Sequence, residues 1–262
     1  MYRNNTYLEQ ILQKYNTKII FNYSSDIFNL KSILKTWAGM FYIDILESGS
    51  YAKGTAISLS SDIDYMISLT NSCNPYNGGL KAIYESLYNL LAKNYLNVRK
   101  QNVSVRIVLN GLEVDITPAR KQIGNTNDHS LWLSKQNSWQ QTNIKKHIID
   151  ISKSGRINEI KLLKIWRELH QLEFPSIYLE YLVINTLLYK PLASKPDILE
   201  NNFKEILFAL ANDIINPLSF KIVDPANSNN ILSELLTTSE KNKIIYQAKL
   251  ALNQQYWQTI VW

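Results

Sequence analysis

The sequence is poor in cysteine. Cys73 is the only one in 262 residues, so no disulfide can form within the chain, which fits a reducing compartment. Long apolar runs are missing too: nowhere do about 18 consecutive residues stay apolar, the length a membrane helix requires, and Met1 to Thr6 contain no apolar signal core. The expectation is a cytoplasmic protein without a membrane partner. No Gly-X-X-X-X-Gly-Lys-Ser/Thr, Gly-X-Gly-X-X-Gly or Gly-X-Ser-X-Gly pattern occurs, and P-loop, dinucleotide-binding and hydrolase-elbow readings drop out. His129, His147 and His170 lie far apart with no metal-ligand spacing, against a histidine zinc site. Internal repeats and low-complexity runs are absent. The excess of one charge is small, 28 basic against 22 acidic residues for a net +6; this suits a polyanionic substrate without establishing one.

What is present is ample apolar material, 45% of residues, enough to bury the core of one large domain or two medium ones. Leu8, Ile11, Leu12 and Tyr15 recur at helical spacing, and after a polar break at Asn22 to Ser25 the period returns at Ile27, Leu30, Ile33, Leu34 and Trp37. Phe41 to Leu46 reads as a strand, as do residues 62 to 69. Loop chemistry from Asn71 to Gly79 precedes a helical run from Leu80 to Leu91. Val103, Val105, Ile107 and Leu109 then alternate, Asn110-Gly111 supplies a type I′ turn, and Leu112 to Thr117 alternates again. A two-residue loop pairs 109 with 112 and therefore 106 with 115, placing Arg106 across from Asp115 on one face; Pro118 is expected to end that strand. From Ala119 to Thr142 the composition turns polar and the period fades, so a domain boundary is expected there, dividing 1–130 from 131–262. Beyond it the pattern is helical: Ile144 to Ser154, Ile157 to Leu169, Ile177 to Tyr189, Ile198 to Ile214 and Lys243 to Tyr256, the last with Thr237 and Glu240 as a capping box. Trp37 and Trp166 occupy core-type helical positions.

The chemistry concentrates in Gly49 to Asp64, GSYAKGTAISLSSDID. On an extended strand Asp62 and Asp64 project the same way, about 6 to 7 Å apart. Two carboxylates so placed repel unless a cation lies between them, and hard divalent ions such as Mg²⁺ take oxygen ligands in phosphoryl transfer. Gly49-Ser50 follows a strand, where backbone N–H groups and the Ser50 hydroxyl can cradle phosphate oxygens. Gly54-Thr55 permits close backbone approach. Asp115 adds a polar-facing carboxylate on a strand whose other face is apolar; an ion pair with Arg106 is the alternative reading of it. Lys53 and Lys164 read either as phosphate contacts or as solvated lysines.

These residues carry a resemblance. GSYAKGT followed by SDID, with a third aspartate in LEVDITPA, resembles the nucleotidyltransferase superfamily of DNA polymerase beta. IKLLKIWR at Ile160 to Arg167 followed by PSIYLEYLV is similar to the second-domain helices of its template-independent branch, which holds archaeal-type CCA-adding enzymes, oligoadenylate synthases, cyclic GMP-AMP synthase and bacterial cyclic-oligonucleotide synthases. Asp224-Pro225-Ala226 with Asn229-Asn230 resembles a further element of that branch. The resemblance implies an α+β chain: a polymerase beta-like nucleotidyltransferase domain, a mixed twisted sheet with flanking helices, followed by an all-helical substrate-binding domain.

By that resemblance Asp62, Asp64 and Asp115 bind two Mg²⁺ (or Mn²⁺) ions, and NTP substrates are implied. Ser50, with Lys164 and Ser176, would hold the terminal phosphates, and Tyr178 would be a base platform or, equally, an ordinary core aromatic. Arg106 would be either a cation beside the triphosphate or a counter-charge that keeps Asp115 ionised. The first functional expectation is a bacterial synthase of cyclic or linear oligonucleotide signals of the cGAS/DncV-like type, used in phage defence. The second is an RNA-tailing or CCA-adding enzyme, whose RNA acceptor requires a basic surface; Lys145, Lys146, Arg156 and Lys161 are its candidates, or an ordinary solvated face. The third is a nucleotide-binding pseudoenzyme, against which three mutually repelling carboxylates argue.

Overall fold

The computed structural model describes residues 6–17, 24–60, 62–74, 78–124 and 126–262. In chain order these form α1 (Tyr7–Lys14), α2 (Ser24–Ala38), β1 (Tyr42–Ser48), α3 (Gly49–Lys53), β2 (Ile63–Leu69), α4 (Gly79–Asn94), β3 (Arg99–Lys100), β4 (Val105–Leu109), β5 (Leu112–Lys121), β6 (His129–Leu133) and β7 (Ser138–Thr142). The chain continues as α5 (Ile144–Ser152), α6 (Ile157–Leu169), α7 (Ser176–Thr186), α8 (Pro196–Ala211), β8 (Val223–Asp224), β9 (Asn227–Ile231) and α9 (Thr238–Leu252). Asn22 of the expected polar break, residues 75–77 of the expected loop and Asn125 lie outside the described residues.

Two compact units result. One comprises Lys18–Lys53 and Asp62–Ile148, the other Met1–Thr17, Gly54–Ser61 and Ile149–Trp262. The first is built on a seven-stranded mixed sheet in which β1-β2-β5-β4-β3 run side by side and β6 and β7 extend from β5. β2 and β5 are parallel, while the other pairs are antiparallel. The core lies between this sheet and helices α2 and α4, where Leu30, Leu34, Ile67, Tyr84, Leu87, Ile107 and Ile116 are buried. The alternation read from the sequence selects that face, since Ile107, Val114 and Ile116 point one way and the charged residues between them the other. Asn110 and Gly111 take φ +48° and +87°, the left-handed pair a type I′ turn needs, and the register pairs Leu109 with Leu112 and Arg106 with Asp115 as expected.

Pro118 does not end β5, which runs on to Lys121. On one side β4 is paired only as far as Ile116, and β6 takes over from Ala119. Pro118 falls at that handover, where its missing N–H forfeits no ladder bond on that side. The polar stretch after it is likewise structured: the β6–β7 hairpin extends the sheet, and the chain passes from this unit to the other at Ile148.

The second unit gathers α1, α6, α7, α8 and α9 around Trp166, Leu179, Leu182, Phe203, Ile206 and Ile244, all fully buried. Thr237 and Glu240 form the expected capping box at the start of α9, and Pro196 occupies the first turn of α8, where its missing N–H is harmless. This unit is not helical throughout. The Asp224-Pro225-Ala226 element is the turn of the β8–β9 hairpin, with Asp224 Oδ1 accepting from the Ala226 N–H at 2.8 Å and Oδ2 from Asn230 Nδ2 at 2.9 Å. Among the described residues no helix is long and apolar enough to cross a membrane.

Candidate active site

The sheet register lines up one row of side chains across five strands. Ser48 of β1 pairs with Asp64 of β2, Asp64 with Asp115 of β5, Asp115 with Arg106 of β4, and Arg106 with Arg99 of β3. Paired residues share a face, so two carboxylates stand beside two guanidinium groups on the face opposite the core. Asp62 lies two residues before Asp64, directly ahead of β2, and Glu113 lies two before Asp115 on β5.

Arg106 is the hub of this row. Its Nε donates to Asp115 Oδ1 and its Nη2 to Asp115 Oδ2, both at 2.8 Å; Nη2 also donates to Asp62 Oδ2, and Nη1 to Glu113 Oε2. Glu113 is shared, accepting from Arg99 Nη2 at 2.9 Å. Of the two readings open for Asp115, the ion pair with Arg106 is therefore present, and the same guanidinium also holds Asp62. Glu113 and Arg99 escaped the sequence reading, although Glu113 shares the alternation of Asp115 and could have been placed on the same face.

The carboxylates strain against one another. Burial, then the charges of Asp62 and Asp115, push the Asp64 carboxyl up to about 7, with Lys53 and Arg106 opposing the rise. Burial and the charge of Asp115 likewise raise the Asp62 carboxyl, and Arg106 pulls it back. Such mutual elevation is expected where a site built for a cation holds its carboxylates together.

Gly49 opens the helical turn α3 directly after β1, with φ +62°. A Cβ on it would lie 1.7 Å from Asp64 Oδ2. The Gly-Ser pair is thus pressed against the second aspartate, and glycine is needed there both for the backbone angle and for room. Ser50 follows within α3, and Lys53 closes it with only 7% of its surface exposed. A Cβ added at Gly54 would meet no protein atom within 4 Å, and the φ of +75° there itself favours glycine.

The remaining candidates belong to the helical unit. Lys164 of α6 is 2% exposed; its Nζ donates to Glu180 Oε1 of α7 at 2.7 Å and to Thr55 Oγ1 at 2.9 Å, while the Thr55 hydroxyl donates to the same Glu180 oxygen at 2.7 Å. Lys53 and Lys164 are therefore both buried rather than solvated. Glu180, fully buried, went unread in the sequence because it sits amid an apolar helix with no spacing that marks it. Ser176, at the start of α7, accepts from Arg167 Nη1 at 3.0 Å. Tyr178 is wholly buried, edge-on to Phe174 with ring centroids 5.4 Å apart, and burial pushes its phenol up to about 12. Arg156, one candidate for a basic surface, is instead buried, donating to the Leu187 and Pro191 carbonyls.

Among the described residues no three histidine, cysteine or carboxylate side chains converge on one metal-sized point. The donor set nevertheless fits a hard divalent ion, being carboxylate oxygen throughout, and a cation already bridges Asp62 and Asp115 in the form of the Arg106 guanidinium.

A mixed sheet in this order, with a glycine-led turn against Asp64 and Asp115 level with it on the parallel neighbour, is the arrangement expected from the resemblance to nucleotidyltransferases. A family profile described as the Second Messenger Oligonucleotide or Dinucleotide Synthetase domain matches residues 5–154, and the chain belongs to that family. By that membership it is a nucleotidyltransferase, of the class that synthesises oligonucleotide or dinucleotide second messengers. A relative, the cyclic AMP-AMP-AMP synthase of Escherichia coli strain MS 115-1, is 26% identical over 265 residues, covering 82% of this chain and 81% of its own. The solved structure of E. coli MS115-1 CdnC with ATP superposes with a TM-score of 0.72 at 21% identity, covering 97% of this chain and 96% of that one. The Cid1 poly(U) polymerase shares the fold, with a TM-score of 0.67 at 12% identity and 97% of each chain covered.

Proposed function

We propose that this protein joins ATP units into a cyclic oligoadenylate. The E. coli relative supports the choice of base, and the alignment of Asp64 with Asp115 across parallel β2 and β5, with Asp62 beside them, carries the reading of the chemistry. In each step a ribose hydroxyl oxygen forms a bond to the α-phosphorus of an NTP, the bond from that phosphorus to the bridging oxygen breaks, and pyrophosphate departs with its electron pair. Asp62, Asp64 and Asp115 would hold two Mg²⁺ or Mn²⁺ ions, which when bound supply an acidified hydroxyl and neutralise the triphosphate.

The chain's own groups do the rest. Asp115, buried and held in place by Arg106, is the candidate to receive the proton of the attacking hydroxyl. Gly49 brings the backbone of α3 against Asp64, so the Ser50 hydroxyl and the N–H groups of that turn are the candidates for the terminal phosphates, with Lys53 supplying positive charge beside Asp64. Lys164, fixed by Glu180 and Thr55, and Ser176, fixed by Arg167, are the helical unit's candidates for phosphate contact.

The test is an incubation of purified protein with Mg²⁺ or Mn²⁺ and each labelled NTP, with and without bulk tRNA, resolved by thin-layer chromatography before and after phosphatase. Phosphatase-resistant products formed from ATP without RNA are expected. Label appearing only on RNA would overturn the reading in favour of RNA tailing. Asp62→Asn with Asp64→Asn should abolish transfer while leaving the circular dichroism spectrum intact, because relieving carboxylate repulsion removes no packing.

A further inference from the structure

We propose that Arg106 is a resident counter-cation that competes with divalent metal for Asp62 and Asp115, and that Glu113 with Arg99 forms the anchor that retains its guanidinium when those aspartates are surrendered. The proposal rests on the metal-dependent reading above and deepens it. Three observations carry it. First, one guanidinium satisfies Asp62, Asp115 and Glu113 simultaneously, using Nε, Nη1 and Nη2. Second, no three of the described carboxylates converge on a metal-sized point, and Asp62 and Asp115 both accept from the arginine. Third, an alternative seat is built next to it: Glu113, with 42% of its side chain exposed, lies two residues before Asp115 on β5 and already bridges Arg106 to Arg99.

The physical logic follows from the charges. Three aspartates beside one another, Asp115 only 8% exposed, repel in the metal-free protein, and a fixed cation relieves that repulsion. The same cation opposes a divalent ion in the same place. A side chain anchored only by the aspartates would have to give up all its partners at once to admit metal; with Glu113 as a third partner it keeps one. Arginine suits the task because its planar fork reaches several carboxylates, which a lysine ammonium cannot do in the same geometry.

The experiment measures Mn²⁺ binding to the nucleotide-free protein by electron paramagnetic resonance, and the melting temperature with and without Mn²⁺, for the wild type, Arg106→Gln, Arg106→Lys, Glu113→Gln and the Arg106→Gln/Glu113→Gln pair. An Arg⁺ beside an aspartate lowers its affinity for a proton by about one to three powers of ten, and a divalent cation meets the same opposition, so Arg106→Gln should tighten Mn²⁺ binding by about tenfold or more while lowering the melting temperature of the metal-free protein. Arg106→Lys should fall between it and the wild type in both. Glu113→Gln should weaken Mn²⁺ binding on its own and change nothing further in the Arg106→Gln background, because it acts through the arginine.

A merely structural Arg106 would lower melting temperature and Mn²⁺ affinity together, which would overturn the proposal. So would an Arg106→Gln protein that loses ATP affinity with Mn²⁺ affinity unchanged, the behaviour of a simple triphosphate contact. An effect of Glu113→Gln that persists undiminished without Arg106 would refute the anchor. Wild-type protein that binds no Mn²⁺ at all would instead sink the metal-dependent reading itself, a distinguishable result.

Discussion

Replacing Gly49 by alanine separates the two demands the structure places on that residue. The first is the backbone angle: at φ +62° an L-residue pays about 1 to 2 kcal/mol that glycine does not. The second is room. The new Cβ would stand 1.7 Å from Asp64 Oδ2, 2.4 Å from Cγ and 2.8 Å from Asp64 Cβ, so the carboxylate must retreat by about 2 Å to reach ordinary contact. The carboxylate can swing aside, but Asp64 Cβ moves only if the backbone of α3 or β2 shifts, and a reacting group displaced by about 1 Å already loses on the order of a hundredfold in rate. Gly49→Ala should therefore lose more in urea unfolding than the about 1 to 2 kcal/mol of the backbone angle alone, and turn over ATP at least about a hundredfold more slowly. Gly111→Ala is the control, since it also has a positive φ, +87°, with nothing within 4 Å of the added methyl. It should lose only the about 1 to 2 kcal/mol of the angle and keep near-normal turnover. A Gly49→Ala protein with undiminished turnover, or a Gly111→Ala protein equally inactive, would refute a role in turnover for the contact between the Gly-Ser turn and Asp64.

Two further outcomes concern buried charge. Glu180→Gln removes the carboxylate that Lys164 Nζ and the Thr55 hydroxyl share, and breaking a buried pair of this kind should cost about 3 to 5 kcal/mol in urea unfolding, most of it recovered by Lys164→Met with Glu180→Leu; a loss below about 1 kcal/mol would show the pair to be solvated. His129 is 4% exposed, with Nε2 facing the Ser68 hydroxyl at 2.8 Å and Nδ1 the Asn127 carbonyl at 2.8 Å. Burial holds its pKa below the ordinary value, with Lys121 and Lys145 acting in the same sense and the Asn127 contact and Asp128 opposing. The unfolded chain therefore takes up a proton first as pH falls, and the stability this neutral imidazole contributes, full above about pH 6.5, is lost below it by up to about 1.4 kcal/mol per pH unit. His129→Gln should flatten that slope in urea titrations, and an unchanged slope would exclude the assignment.

Much of this was legible in the chain itself. The span of α6, the turn of the β4–β5 hairpin and the pairing of Arg106 with Asp115 follow from apolar periodicity and from Asn110-Gly111, which act over a few residues and leave few alternatives. The capping box at Thr237 and Glu240 is likewise local. The three aspartates are visible as residue types with the right alternation. What the sequence left undetermined depends on contacts between distant segments. The polar stretch after Pro118 gives no strand period because the β6–β7 hairpin carries exposed and polar side chains, and only the handover from β4 to β6 explains why a proline is tolerated inside β5. Likewise, nothing in the order of residues says that β2 and β5 run parallel with Asp64 level with Asp115, that Gly49 abuts Asp64, or that Lys164 is buried against Glu180. Local alternation and turn chemistry marked the aspartates and the Arg106–Asp115 pair; the register between strands far apart in the chain, fixed by burial of one whole sheet face, decided that Asp64 stands level with Asp115 and that Asp62 shares the same arginine.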